Sequence, residues 1–242
     1  MAKSIAEQDL AEMGGSRSVL ARQRRDHVKL DLLLRELGDT SGAAQEEALS
    51  KVCRLVFPHG FAEEAVLWPA LRRSLPDGHE LTLEVEQEHQ EINELVKSLE
   101  HGDPSDQGRQ QVIGRLIEVL RQDVRDEEDV LLPRLQEAVS AEQLRRLGVV
   151  WELVRRIAPT RPHPVISRRP PGNVLAALPL SVVDRFQDRM DWLVRRAPES
   201  AADPLRRCSR AVGRASARLE HVTALRRGED QSTRATGRDL AV

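Results

Sequence analysis

The chain has 242 residues, which is enough for one compact domain with an appendage. It contains no Tyr, three Phe and three Trp, so strand-forming aromatic residues are scarce and an all-α protein is expected. The two Cys residues lie far apart, which excludes a disulfide framework and a Cys-x-x-Cys metal site. We therefore expect a reducing, cytoplasmic setting, with neither a signal peptide nor a membrane-spanning segment.

Charge is distributed unevenly along the chain. Residues 145–242 contain 20 Arg, no Lys and 10 acidic residues, a formal charge of +10, and the total of −2 leaves −12 for residues 1–144. An acidic segment repels nucleic acid but can hold cations. We expect the basic part to dock on the acidic part in preference to binding nucleic acid or an acidic membrane.

Apolar residues recur at helical spacing through four successive segments. Helices are expected at about 16–37, from after Gly42 to Leu75, at 79–100 and at about 106–139. Pro58, Pro69 and Pro133 are expected to kink the second and fourth helices. Short loops between long helices predict an antiparallel up-down-up-down four-helix bundle over residues 16–140, preceded by an N-terminal segment at 1–15.

The sequence beyond the bundle has a different character. An additional helix is expected at 141–158, and the prolines of the following segment, APTRPHPVISRRPPGN, predict an irregular Pro-rich arm at 159–178. Residues 179–242 are expected to form a helical, Arg-rich extension that is partly disordered, above all in its last dozen residues. His163, between two prolines, is expected to pack the arm and not to bind a metal.

The bundle contains an internal repeat. The segment HGFAEEAVLWPAL, which starts at His59, aligns with DVRDEEDVLLPRL, which starts at Asp123, at a constant offset of 64 residues. This alignment pairs Glu63 with Glu127. At an offset of 62 residues the first and third helices align in the same way, Asp26-His27 with Glu88-His89. The bundle is therefore expected to consist of two equivalent halves of two helices each.

The repeat brings polar residues to the inner faces of the helices. His59 and Glu63 are four residues apart, so they project from one helix face about one turn apart, as do Asp123 and Glu127. Two further histidines, one on the first helix and one on the third, border the apolar stripes of those helices. Six metal ligands are predicted: His27, His59, Glu63, His89, Asp123 and Glu127.

The mixture of imidazoles and carboxylates suits iron, with manganese as the alternative, better than it suits magnesium or calcium. A bridging carboxylate can hold two such cations close together in a helix bundle. Without a metal, these groups would leave unpaired charge in the core, at a substantial cost. Asp26, Glu64, Glu88 and Glu128 are adjacent to ligands and are expected to orient the imidazoles or to face solvent.

The motifs resemble those of the hemerythrin-like, or HHE cation-binding, domain of bacterial type over about residues 20–138. The matching features are the early Asp-His, the His-x-x-x-Glu-Glu at His59, the later Glu-His, and the ligand-x-x-x-Glu-Glu at Asp123, each Glu-Glu being followed by Leu-x-Pro. The resemblance implies a left-twisted bundle with a non-haem di-iron centre. It also implies reaction with dioxygen, peroxide or NO, in carriage, sensing or oxidative catalysis.

Two positions depart from the family pattern. Asp123 stands where the family normally has His, and the second histidine of the third helix in oxygen-carrying members falls on Asn93. More anionic ligands stabilise ferric iron, which disfavours reversible dioxygen storage relative to redox turnover or iron capture. The exchange at Asp123 also leaves open one tight and one weak metal position, or a bundle that binds little metal.

Two classes of function follow from the sequence. One is an oxidoreductase-like di-iron protein that reacts with dioxygen, peroxide or NO. The other is a sensing or binding module without turnover, in which ligand binding at the metal changes how the C-terminal helices dock. No residue indicates an organic substrate, and the sequence does not specify the oligomeric state.

Overall fold

The computed structural model describes residues 3–101, 108–228 and 230–233, and within these ranges the regular structure is entirely helical. The predicted all-α bundle with a C-terminal helical extension is confirmed. The helices of the bundle are α1 (Val19–Asp39), α2 (Gly42–Ala62), α3 (Trp68–Ser74), α4 (Gly78–His101), α5 (Gly108–Asp126) and α6 (Leu132–Ala138). In the described ranges, no helix is long and apolar enough to cross a membrane.

The second and fourth long helical segments of the bundle, α2–α3 and α5–α6, are each interrupted at the equivalent position of the repeat. Five residues of π-helix, Glu63–Leu67, join α2 to α3, and Glu127–Leu131 joins α5 to α6. Trp68 N–H donates to the Glu63 carbonyl and closes the first wide turn. Pro69 follows directly and has no N–H to continue an α-helical ladder through this turn. The predicted kink is therefore a local widening of the helix.

Within the described residues, three α-helices and one irregular segment between them follow the bundle, before short 3-10 turns. They are α7 (Ala141–Ile157), the arm at residues 158–171, α8 (Gly172–Val194) and α9 (Glu199–Glu220). Ser140 starts α7 with a capping box that it forms with Gln143.

The structure differs from the sequence-based boundary of the Pro-rich arm, which was expected to extend over 159–178. The helix α8 already begins at Gly172, because Pro171 precedes the first helical residue, where a missing N–H costs nothing. Pro179 lies inside α8 instead of bounding it. Of the last dozen residues, which were expected to be disordered, Gln231–Thr233 form a short 3-10 turn and 234–242 lie outside the described residues.

The apolar core of the bundle is divided into two clusters along its length. One contains Leu20, Trp68 and Trp151, and the other contains Leu34 and Leu120, with further aliphatic residues in each. Ile5 and Met13 pack the N-terminal segment into the first cluster. In sequence, five of the predicted ligands lie between residues of the two clusters, and Glu63 directly follows Ala62 of the first cluster. Together the six ligands form a polar layer within the core.

Basic residues of the C-terminal part contact acidic residues of the bundle, as the charge distribution predicts. Arg169 Nη2 lies 2.7 Å from Oε2 of the fully buried Glu86, and Arg195 Nε lies 3.0 Å from Glu47 Oε2. Glu86 is also paired with Arg72 of α3. These ion pairs fix the extension against the bundle.

His163 anchors the arm, and its ring contacts carboxylates that are outside the predicted ligand set. Its ring lies 3.1 Å from Asp184 of α8 and 3.1 Å from Glu220 of α9, and its backbone N–H donates to Asn93 of α4. Burial lowers the pKa of His163, but the two carboxylates outweigh burial and raise it to about 9. The charged imidazole of His163 and its backbone N–H therefore join the arm to α4, α8 and α9.

The helix α7 approaches the start of α1 most closely at Gly148. A Cβ at this position would overlap the carbonyl oxygen of Arg17 and lie 2.8 Å from the amide nitrogen of Val19. The absence of a side chain therefore allows α7 to seat Trp151 in the core.

We expect Gly148→Ala to lower the free energy of unfolding by about 2–3 kcal/mol, because the added methyl group forces α7 away from α1. Urea-induced unfolding measures this change. Gly114→Ala is the matched control, since a Cβ there meets nothing within 4 Å and alanine favours a helix. Equal stability of the two variants would contradict the close packing of α7.

Candidate metal centre

The six predicted ligands come together in the polar layer of the bundle. His27, His59, Glu63 and Glu127 each offer one ligand atom, and these four atoms lie within 4.8 Å of one another. His89, Asp123 and Glu127 form a second such group. Glu127 belongs to both groups, as a carboxylate that bridges two cations would.

Glu63 also lies between the two groups. Its Oε1 is 3.0 Å from His59 Nε2, and its Oε2 is 3.7 Å from His89 Nε2. Glu63 and Glu127 are the first residues of the two π-helical segments. Because π-turns are wider than α-turns and recur at functional sites, these segments account for two glutamates that project to the centre from opposite halves.

Three carboxylates hold the outer nitrogens of the three imidazoles. His27 Nδ1 lies 2.8 Å from Glu128 Oε1, and His89 Nδ1 lies 2.9 Å from Glu64 Oε1. His59 Nδ1 lies 3.4 Å from Asp26 Oδ2. These contacts leave each Nε2 directed to the centre, which is the arrangement that orients imidazoles on metals. Glu64 and Glu128 act across the halves, since each contacts a histidine of the other half.

The metal-free histidines hold protons more tightly than free histidine does. Burial lowers the pKa of His27, but interaction with Glu127 and Glu128 outweighs burial and raises the pKa to about 9. Burial likewise lowers the pKa of His59, yet Glu63 and Asp26 raise it to about 10. A metal ion must displace these protons, so metal binding releases protons and weakens as the pH falls.

Five carboxylate oxygens at the centre have no hydrogen-bond partner among the residues that the structure describes. These orphaned oxygens are both oxygens of Glu63, both of Glu127 and Oδ1 of Asp123. Four of them lie 3.0–3.7 Å from an imidazole Nε2 without the geometry of a hydrogen bond. Burial, together with the charges of Glu63 and Asp123, raises the pKa of Glu127 to about 8. Converging oxygens and imidazole nitrogens fit metal cations, which would satisfy all of them together.

Asp123 breaks the two-fold symmetry of the centre. In the first half, the carboxylate of Asp26 accepts from His59, whereas in the second half the equivalent Glu88 faces the carboxylate of Asp123. Burial, together with the nearby charges of Asp123 and Asp126, raises the pKa of Glu88 to about 8. The second half therefore concentrates negative charge where the first half has an imidazole.

Residues of the centre, of the arm and of α8 line a cavity of about 60 Å³. His59, His89 and Asp123 are among its lining residues. Most of its other walls are apolar and include Leu55, Phe57, Ile92, Leu120, Ile166 and Leu180. Gly60 allows the ring of His89 to sit close to α2, since a Cβ at this position would lie 3.1 Å from His89 Cε1. The cavity provides room for a small ligand beside the predicted metals.

Residues of α7 and of the arm contact the carboxylates that hold the ligand histidines. The sequence did not predict these contacts. Arg155 of α7 lies 3.2 Å from Asp26 Oδ2, and Arg168 of the arm lies 3.7 Å from Glu64 Oε1. The ring of Trp151 meets that of His59 edge-on at 5.3 Å between centroids. No periodic pattern marks these contacts, because they depend on how α7 and an irregular arm dock.

Known proteins resemble this chain in the region of the bundle. Residues 18–135 match the hemerythrin HHE cation-binding domain family. An uncharacterized hemerythrin-like protein of Schizosaccharomyces pombe is 24% identical over 154 residues, which cover 63% of this chain and 74% of that protein. A DNA nickase of Nostoc is 27% identical over 133 residues, which cover 54% of this chain and 37% of that protein. The comparison with solved structures found no match.

The matched residues include the whole predicted ligand set and all six helices of the bundle except the last residues of α6. The repeat, the polar layer and the paired histidine and glutamate motifs lie within the same range. Through residues 18–135, this chain belongs to the hemerythrin HHE cation-binding domain family.

Proposed function

We propose that this protein binds two iron ions in the polar layer and reacts with dioxygen, peroxide or NO as an oxidoreductase-like protein. The family binds cations, typically iron, and its domains bind small ligands such as dioxygen through the metal. The observation that carries the proposal is the pair of ligand groups that share Glu127. His27 and His59 would hold one ion, His89 and Asp123 the other, and Glu63 and Glu127 would lie between them.

The balance of ligands favours redox turnover over dioxygen carriage. Three imidazoles and three carboxylates surround the proposed ions, and carboxylates stabilise the ferric state. When bound, iron would supply electrons to the small ligand, and the chain would orient the imidazoles through Asp26, Glu64 and Glu128. The apolar walls of the cavity would exclude bulk water from the reacting face.

The size and depth of the cavity support a small ligand. A volume of about 60 Å³ is close to that of one or two water molecules in the liquid. Glu63, Glu127 and Asp123 are 0%, 1% and 7% exposed, so a strand of DNA has no route to these carboxylates in this conformation. The geometry therefore does not support a DNA-nicking activity of the kind named for the Nostoc protein at these carboxylates.

We expect about two iron ions per chain after anaerobic loading, with a change in the optical and Mössbauer spectra on exposure to air. Glu127→Gln is expected to lose most of the iron, because Glu127 serves both groups, whereas His59→Ala weakens mainly one of them. Glu118→Gln, an exposed glutamate of α5, is the control. Fewer than half an iron per chain, or full iron content in His59→Ala, would refute the assignment. Loading with manganese tests the alternative metal.

We expect Asp123→His to raise the reduction potential of the bound iron, because the change replaces an anionic ligand with a neutral one. Glu88 would then face an imidazole, as Asp26 does in the first half. A redox titration followed by the ferric absorption measures the shift. Asp126→Asn, which changes a nearby charge outside the ligand set, provides the comparison. A potential that falls or does not move would contradict the proposed role of Asp123.

We expect Ile166→Phe to slow the reaction of the ferrous protein with dioxygen without lowering the iron content, because Ile166 lines the narrow cavity. Stopped-flow absorption after mixing with air-saturated buffer measures the rate. Val182→Phe on the exposed face of α8 is the matched control. An unchanged rate in Ile166→Phe would show that the small ligand reaches the centre by another route.

A further inference from the structure

Two arginines from outside the bundle each contact a carboxylate oxygen that also contacts a predicted ligand histidine. Asp26 Oδ2 lies 3.4 Å from His59 Nδ1 and 3.2 Å from Arg155 Nη1. Glu64 Oε1 lies 2.9 Å from His89 Nδ1 and 3.7 Å from Arg168 Nη1. Each arginine is therefore one carboxylate away from an imidazole of the centre.

Both contacts are protected from solvent. The side chains of Asp26 and Glu64 are 7% and 3% exposed, and those of Arg155 and Arg168 are 23% and 10% exposed. Charge interactions are screened weakly at such positions, so these pairs differ from ordinary surface ion pairs. The third histidine offers a contrast within the molecule. In the part of the chain that the structure describes, no arginine pairs with Glu128, the carboxylate that holds His27.

The charge on an outer carboxylate determines how strongly it attracts the imidazole proton. A carboxylate that attracts the Nδ1 proton strongly makes the imidazole a more basic metal ligand, which favours the ferric state. A guanidinium on the same oxygen withdraws negative charge from that contact. Its positive charge also opposes the extra charge of ferric iron directly. Both effects act in one direction, towards a higher reduction potential.

We propose that Arg155 and Arg168 are positioning residues that act through Asp26 and Glu64 on His59 and His89, and that they raise the reduction potential of the bound metal. This inference rests on the proposed iron site. It makes α7 and the arm part of the metal centre, although in the described contacts neither arginine pairs with a predicted ligand.

The contact of Arg168 depends on the docked position of the arm. Arg168 Nη2 donates to Gln90 Oε1 at 2.8 Å, and the neighbouring Arg169 fixes the arm on Glu86. His163 holds the arm to α8 and α9. Because coupling between two equilibria is reciprocal, oxidation of the metal weakens the docking of Arg168 as much as docking opposes oxidation. The arm thereby responds to the oxidation state of the centre.

The test is a mediated redox titration of the iron-loaded full chain, in which mediators supply or remove one electron per iron. At a fixed solution potential, Arg168→Gln and Arg155→Gln are each expected to raise the ratio of ferric to ferrous iron by about tenfold. Arg168→Lys, which keeps the charge, should restore most of the wild-type ratio. Arg206→Gln is the matched control, because it removes one positive charge from an exposed position on α9 and leaves the attachment of the arm unchanged.

A ratio in Arg168→Gln equal to that in Arg206→Gln would overturn the inference while leaving an iron site intact. A full shift in Arg206→Gln would overturn it too, because the net charge of the chain would then be the cause. Failure of the wild-type chain to bind iron would instead refute the proposed function, and iron content is measured first for every variant. Hydrogen exchange of residues 158–171 in the two oxidation states provides a second readout. Faster exchange in the ferric protein is expected, and equal exchange would contradict the coupling.

Discussion

The burial of three imidazoles and three carboxylates in one layer of a helix bundle is the constraint on which the rest of this structure depends. Apolar clusters above and below the layer exclude water, so the layer itself must satisfy its charges. The outer carboxylates do part of this by holding the imidazoles. The oxygens of Glu63 and Glu127 remain without hydrogen bonds, and metal cations are the chemically matched partner.

The repeat made the centre predictable. Offsets of 64 and 62 residues fix which helix faces are equivalent, and a spacing of four residues places His59 and Glu63 on one face. The structure brings together all six residues selected in this way. The prolines at 69 and 133 indicated a kink, but the exact π-helical geometry depends on where the backbone hydrogen bonds shift. Residue spacing alone does not specify that shift.

The extension was less predictable, for two physical reasons. The prolines predict irregular structure over 159–178, yet a helix tolerates proline before its first turn, and α8 begins directly after Pro171. The contacts of Arg155 and Arg168 arise from docking between distant segments, and the abundance of Arg in this region hides the two that matter. The sequence predicted only the overall signs of the charges, with a basic C-terminal part against an acidic bundle.

The symmetry of the backbone does not extend to the charges. Arg155 and Arg168 pair with Asp26 and Glu64, which both belong to the first half, whereas the equivalent Glu88 and Glu128 pair with no arginine in the described residues. Asp123 adds a carboxylate to the second half. In the proposed di-iron form, the position at His27 and His59 has two imidazoles and the position at His89 and Asp123 has one. The second position would therefore stabilise ferric iron more strongly, except where Arg168 opposes it through Glu64. In that form, the repeated fold would create two unequal metal positions, and the arm would act on the more anionic one.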